Sequence, residues 1–125
     1  MVSYNILQVI YLNKKIKMAN SYKFKGVALA TGSETALLTA ASTETIIIKS
    51  ILVTNNTSNT PTLSFDISDS SASAEYTILK TQTLAANTAV EILSVPLVLE
   101  PSDAIKATVS STDSVHFGIS YLVIT

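Results

Sequence analysis

The residue types best suited to acid–base, nucleophilic or metal chemistry are scarce in this sequence. Its 125 residues include one histidine, His116, and no cysteine. A zinc site draws on several histidines, cysteines or clustered carboxylates, and a nucleophile needs an activating base beside it. No serine stands in the G-x-S-x-G context of a nucleophile elbow. We therefore predict that the chain is not an enzyme, has no catalytic residues, and binds no metal and no cofactor.

Asp66 and Asp69 come closest to a cation site, because they flank the polar loop at residues 68–73. Carboxylates, hydroxyls and backbone carbonyls of a loop can bind calcium. Two aspartates three residues apart in a serine-rich turn more often cap the turn itself, and we favour that interpretation. The three glycines are not clustered, so no phosphate-binding loop is indicated.

Two polar loops, at residues 55–61 and 68–73, are the best candidates for binding a ligand or a partner. We predict that together they form any ligand site. The candidate residues are Asn55, Asn56, Asn59, Asp69 and Tyr76. Tyr76 is the aromatic side chain expected to be exposed. The aromatic residues expected in the core, because they fall on apolar strand faces, are Tyr22, Phe24, Phe65, Phe117 and Tyr121.

The composition excludes some classes of partner. The chain is 47% hydrophobic and 14% charged, with a net charge of -1 and no arginine among its eight basic residues. Near-zero charge without arginine argues against nucleic-acid binding, and no apolar stretch is long enough to span a membrane. The many Ser and Thr side chains lose less on desolvation than charged ones. They fit a surface packed against other subunits, or simply the polar half of a strand pattern.

From residue 22 onward, apolar and polar residues alternate, as in half-buried strands. The run at 45–54 is apolar on both faces and predicts a central strand covered on both sides. Turn-forming clusters separate strands predicted near 22–30, 35–40, 44–54, 61–67, 76–82, 89–94, 96–99, 104–110 and 115–124. This pattern predicts an all-β fold, a single antiparallel β-sandwich that is jelly-roll-like, with about eight strands and an N-terminal arm.

The first residues differ from the rest, so we divide the chain into an arm or extension at 1–21 and a sandwich domain at 22–125. Within the arm, Ile6, Val9 and Ile10 have helical spacing and lysines follow. One explanation is an arm that docks on a neighbouring subunit. The other, which we favour, is that Met18 is the natural start and residues 1–17 are an upstream extension.

Residues 22–125 resemble a group of small β-sandwich proteins encoded by tailed phages, especially marine ones. The resemblance lies in the order and spacing of segments at 22–27, 48–55, 65–71, 95–100, 103–107 and 117–122. Members often carry glycine before the aspartate of the late turn. Here Ser102 precedes Asp103, so we expect a different turn geometry.

The resemblance implies a virion component without catalytic residues, and it carries over no site residues. We expect a protein located in the virion that assembles with other capsid, neck or tail proteins and forms homo-oligomers. Its role would be capsid decoration or cement, or part of the neck, tail or fibre. The alternative is a ligand-binding sandwich that recognises a host surface glycan.

Overall fold

The structure is a computed structural model that describes residues 19–125, and it folds into nine strands with no helix in that range. The strands are β1 (Asn20–Leu29), β2 (Thr35–Thr39), β3 (Thr45–Asn55), β4 (Thr62–Asp69), β5 (Ala74–Thr83), β6 (Ala89–Glu91), β7 (Leu97–Leu99), β8 (Ala104–Val109) and β9 (Val115–Ile124). The prediction of an all-β fold is confirmed. The predicted arm lies outside the described residues except for its last three positions, and so does its helical spacing.

Two antiparallel sheets make the sandwich. The first has the order β1-β9-β3-β6, with β7 also paired to β3, and the second has the order β2-β8-β4-β5. All connections cross between the sheets except the β4–β5 hairpin and the β6–β7 link. This is the strand order of a jelly roll. Because β6 and β7 lie on the same side of β3, they are two pieces of one interrupted strand, which accounts for the predicted number of about eight.

The core lies between the sheets and follows the alternation in the sequence. In β9, Val115, Phe117 and Ile119 point inward and are buried. The ring of Phe117 packs edge-on against Phe65 from the opposite sheet, with centroids 5.9 Å apart and planes at 81°. Edge-to-face pairs of this kind add about 0.5–1.5 kcal/mol beyond the area that they bury. The aromatic pair therefore joins the two sheets at the centre of the core.

The break between β6 and β7 is filled by a side chain. The strand predicted over 89–94 ends at Glu91, and the Glu91 carboxylate takes over as hydrogen-bond acceptor. It accepts from the N–H of Ile51 at 2.8 Å, from the N–H of Leu93 at 3.3 Å and from the Ser50 hydroxyl. Partial desolvation raises the pKa of Glu91, but these hydrogen bonds together outweigh it and lower the pKa. The carboxylate thus accepts backbone hydrogen bonds at the point where the strand, and with it the regular pairing to β3, ends.

The late turn uses serine in a conformation that suits glycine. Ser102 has a φ of 71°, and the turn is closed by the Asp103 N–H donating to the Glu100 carbonyl at 3.0 Å. The buried Asp103 carboxylate accepts from the N–H groups of Ser70 and Glu100, at 2.9 and 3.0 Å. The serine therefore adopts the left-handed conformation that a glycine at this position would favour.

Candidate interaction surface

The outer face of the first sheet carries the most exposed large apolar side chains of β1. Tyr22 is 78% exposed and Phe24 is 70% exposed, so the prediction that both lie in the core is wrong. Phe65 and Phe117 are buried and Tyr121 is partly buried, as predicted. Tyr22 and Phe24 lie on one face of β1, and Val27 and Leu29 lie on the other face, which points toward the core. The two aromatic rings consequently point away from the core.

The alternation in β1 has a second consequence. Lys23 and Lys25 share the inward face with buried Leu29, and yet both lysines are exposed. The second sheet therefore does not cover this part of β1. Charged side chains that point inward at the edge of a sheet are a known way to prevent uncontrolled pairing with other chains. Residues 19–125 thus leave the first half of β1 open on both of its faces.

A shallow depression lies beside Phe24 on the outer face. Its floor is formed by Gly26 and Gly118, which are direct partners in the pairing of β1 with β9 and have no side chains to fill the space. The Phe24 ring covers this pair, since a Cβ added at Gly118 would lie 3.2 Å from Phe24 Cε2. The depression has a volume of about 530 Å³. Its hydroxyl groups come from Ser50, Thr54 and Ser120. The single histidine, His116, also lies at its rim and is exposed.

The outer face of β3 is open as well. β3 is central in its sheet, as predicted, but the prediction that both faces are covered is wrong within residues 19–125. Ile46 and Ile48 are buried on the inner face, whereas Leu52 is 46% exposed on the outer face. Val98 of the neighbouring β7 is 54% exposed. A strand that is apolar on both faces therefore has only one face buried by residues 19–125.

Asn55 organises one end of the sandwich from a buried position. Its amide nitrogen lies 2.8, 3.3 and 3.2 Å from the carbonyls of Asn59, Leu84 and Ala85, and its side-chain oxygen accepts from the Thr57 N–H at 3.0 Å. Only 1% of the residue is exposed. Its hydrogen-bonding groups therefore hold two loops together.

The other candidate asparagines lie at the same end and are exposed. Asn56 donates its N–H to the Ser114 carbonyl at 3.1 Å. The Asn59 amide donates to Asp113 Oδ1 at 2.9 Å, and the Ser111 hydroxyl donates to Asp113 Oδ2 at 2.6 Å. The hydrogen bond from Ser111, followed by that from Asn59, lowers the pKa of Asp113. These contacts brace the loop at 55–61 against the loop at 110–114.

Asp69 lies at the opposite end of the sandwich and caps its own turn. Its Oδ1 accepts from the Ser71 hydroxyl at 2.9 Å and from the Ala72 N–H at 3.2 Å, and the bond from Ser71, followed by that from Ala72, lowers its pKa. The eight residues of β4 separate this turn from the loop at 55–61, a span of roughly 26 Å in an extended strand. The two loops therefore do not form one site, contrary to the prediction.

Tyr76 is 53% exposed, as predicted, and it lies on the free edge strand β5. Nearby, on the outer face of the second sheet, Glu34, Asp66 and Glu75 bring carboxylate oxygens to within 4.8 Å of one another. Sequence reasoning missed this cluster, because its members are far apart in the chain and come together only through the pairing of β2, β8, β4 and β5. No local motif signals it.

Lys106 already provides a cation for these carboxylates. Its Nζ lies 2.6 Å from Glu75 Oε1 and 3.8 Å from Glu34 Oε1. The pKa of Glu34 is nevertheless raised, first by partial desolvation, then by the charge of Glu75 and the hydrogen bond with Asp66. Three carboxylates and one lysine leave this surface with an excess of negative charge, and we refer to it as the acidic patch.

Comparison with known proteins supports the fold. No protein-family model and no curated protein sequence matches the chain. Among solved structures, a chain of infectious bursal disease virus Gx strain matches with a TM-score of 0.53 and 15% identity over 86% of this chain, which spans 32% of that one. A chain of the Bacillus endospore appendages, which form disulfide-linked pili, matches with a TM-score of 0.51 and 7% identity over 86% of this chain and 88% of that one.

A chain of the Cyanophage Pam1 capsid is also similar, with a TM-score of 0.41 and 12% identity over 84% of this chain and 85% of that one. Solved structures with a related fold, at TM-scores above 0.5, therefore include a chain of a virus and a chain of a pilus. At these identities the likeness concerns the fold alone. Within residues 19–125 we find no helix long and apolar enough to cross a membrane.

Proposed function

We propose that this chain is a structural protein of a bacteriophage particle, which acts by binding other proteins of the particle and performs no catalysis. Its place would be on the capsid, as a decoration or cement protein, or in the neck, tail or fibre. The observation that carries the proposal is the open apolar face of the first sheet, where Tyr22 and Phe24 are largely exposed. Aromatic residues are enriched at protein–protein interfaces and charged residues are depleted there.

Two further observations support the proposal. The jelly roll is an architecture of viral capsid domains, and the segments that resemble small phage sandwich proteins extend over nearly all of residues 22–125. The only histidine, His116, lies on the open sheet face with Ala28 and Thr54 as its cross-strand partners. No carboxylate of the described residues lines the depression at whose rim His116 lies, so the histidine has no acidic side chain there to orient it toward a neighbouring hydroxyl.

The test is the composition of purified particles. Mass spectrometry should find the chain in virions of the phage that encodes it, and electron microscopy should show sandwich-shaped density at symmetry-related positions. A variant with Tyr22→Ser and Phe24→Ser should fold, judged by circular dichroism, but be missing from particles. Val95→Ser, which removes an exposed apolar side chain elsewhere, should still be incorporated. Particles that lack the wild-type chain would rule out the proposal.

A second function is favoured by the depression beside Phe24. The exposed Phe24 ring can stack on a sugar, while the hydroxyls of Thr54 and Ser120 can donate hydrogen bonds to it and the Ser50 oxygen can accept one. Jelly rolls also serve as lectins. On this alternative the chain recognises a host surface glycan. Binding on a glycan array should disappear in Phe24→Ala and persist in Tyr76→Ala. No binding at millimolar sugar would remove this alternative.

A further inference from the structure

The four sheet edges differ in how well they are protected from pairing with another chain. β2 has five residues and a register shift between Ala36 and Leu38. In the first sheet, the edge opposite to β1 is formed by β6 and β7; it is interrupted between these two strands, and Pro96 lies in the interruption. Short strands, bulges and prolines are devices that block edge-to-edge pairing. These two edges are therefore poor templates for a further strand.

β5 is protected over only part of its length. Its pairing with β4 shifts twice between Leu63 and Asp66, and Thr81 has a left-handed φ of 62°. These irregularities all come after Thr77, so residues 74–77 stay in regular register with β4. The first part of β5 consequently presents a regular free edge.

β1 has the longest regular free edge among the described strands. Its ten residues pair with β9 without a single register shift, and no proline interrupts them. Its other edge has no partner among residues 19–125. An exposed, regular edge strand with apolar side chains is a template for strand addition by another chain, and the inward lysines at positions 23 and 25 limit this addition to strands of opposite charge.

The side chains of β1 specify the chemistry of that strand. One face carries Tyr22 and Phe24 and the other carries Lys23 and Lys25. Pairing β1 with β1 of a second copy would place lysines opposite lysines, which is unfavourable. A matching strand needs an aromatic or apolar residue on one face and a carboxylate on the other.

Residues 74–77 of β5 meet both requirements. Tyr76 provides the exposed aromatic ring on one face, and Glu75 provides the carboxylate on the other. Behind Glu75 lie Glu34 and Asp66, with Lys106 as the only cation of the cluster. The pKa of Glu34 is raised first by partial desolvation and then by the charge of Glu75, and the positive charge of an incoming lysine would offset that negative charge.

We propose that the free edge of β1 in one copy pairs with residues 74–77 of β5 in a second copy, so that the first sheet of one molecule continues into the second sheet of the next. Lys23 and Lys25 then face Glu75, while Tyr22 and Phe24 lie beside Tyr76. This inference deepens the proposed function, on which it rests, by naming a second copy of the chain as a partner.

The contact uses two different surfaces of the molecule. β1 ends the first sheet and β5 ends the second, and the short β1–β2 and β5–β6 connections place these ends on opposite sides of the sandwich. A head-to-tail contact between unlike surfaces produces a ring when its rotation closes, and otherwise a filament. Each added copy again exposes one β1 edge and one β5 edge, so the assembly continues beyond a dimer.

Reversal of the charges tests the pairing, with the full chain studied by sedimentation velocity. Wild type should associate as its concentration rises. The double variant Lys23→Glu with Lys25→Glu should associate at least about tenfold more weakly, because attraction at two cross-strand positions becomes repulsion. Glu75→Lys alone should show a similar loss. An equimolar mixture of the two variants should recover association, since each acidic β1 then finds a basic β5.

The control variant is Lys49→Glu with Lys80→Glu, which changes the net charge equally but alters exposed lysines outside the proposed contact. It should associate like wild type, and circular dichroism should show that all variants are folded. A wild type that stays monomeric, a double variant that associates normally, or a mixture that does not recover would overturn the pairing. A chain that is monomeric in solution but present in purified particles would refute this inference alone and leave the proposed function standing.

Discussion

Glu91→Gln removes the carboxylate that repairs the break between β6 and β7. Glu91 accepts two backbone N–H groups, at 2.8 and 3.3 Å, and the Ser50 hydroxyl. Hydrogen bonds to a charged group contribute about 1.5–3 kcal/mol each when well shielded, but Glu91 is largely exposed and water competes for it. Glutamine keeps one acceptor oxygen and places an NH2 group against the other donors. We therefore expect a loss of about 1–2 kcal/mol in the free energy of unfolding.

The loss should depend on pH in a defined direction. The pKa of Glu91 in the folded chain is lowered from 4.5, so the unfolded chain binds more protons than the folded one near that pH. The contribution of the carboxylate to stability is then complete above about pH 4.5 and disappears as pH falls through the lower folded pKa. The difference between wild type and variant should be largest at neutral pH and smaller at pH 3.

Urea denaturation at pH 7 and pH 3 measures both quantities, and the melting temperature at pH 7 should fall by roughly 4–8 °C per kcal/mol lost. Glu100→Gln, at an exposed glutamate outside the break, is the matched control and should change stability by less than about 0.5 kcal/mol. An unfolding free energy unchanged in Glu91→Gln, or a difference from wild type as large at pH 3 as at pH 7, would contradict the role assigned to the carboxylate.

Three further substitutions test other parts of the fold. Ser102→Gly should raise the unfolding free energy by about 0.5 kcal/mol by calorimetry, because glycine relieves the left-handed φ at a smaller entropic cost; Ser102→Ala should bring no gain. Thr81→Gly should stabilise by a similar amount for the same reason, and a loss would mean that the left-handed bulge is not strained. Asn55→Ala should cost about 2–3 kcal/mol, since it leaves the buried Leu84 carbonyl without a donor, and hydrogen exchange should show faster opening of the loops at 55–59 and 84–87 than elsewhere.

Much of the fold could be predicted from the two-residue alternation, because a buried inner face imposes that period on every strand. In β9 the predicted and observed bounds coincide, and of the two aromatic residues predicted there to lie in the core, Phe117 is buried and Tyr121 is partly buried. The alternation gives the faces of a strand but not which face is inward. In β1 the aromatic residues suggested the face of Tyr22 and Phe24, whereas Val27 and Leu29 decide it. Likewise, no local sequence signal predicts that β6 ends at Glu91, where the side chain accepts the hydrogen bonds instead of the backbone.

The candidate surface was harder to predict, because it depends on which strands become neighbours. The depression needs Gly26 opposite Gly118, and the acidic patch needs Glu34 beside Glu75. Both arise from pairings between distant parts of the chain. The exposed Tyr76 could be predicted from its position beside a polar loop. The sequence predicts a single strand between the loops at 55–61 and 68–73. A single strand places the loops that flank it at opposite ends of the sandwich, so their separation could have been predicted.

The pairing of β1 with β9 also bears on when this molecule can fold. The residues that first enter the sandwich and those near position 124 lie side by side, so β1 has no neighbour in its sheet until the ribosome has released the whole of β9. Folds rich in such distant pairings form slowly, since a long loop must close before its contacts stabilise it. A nascent chain therefore cannot present the completed first sheet before residue 124 has emerged from the ribosome.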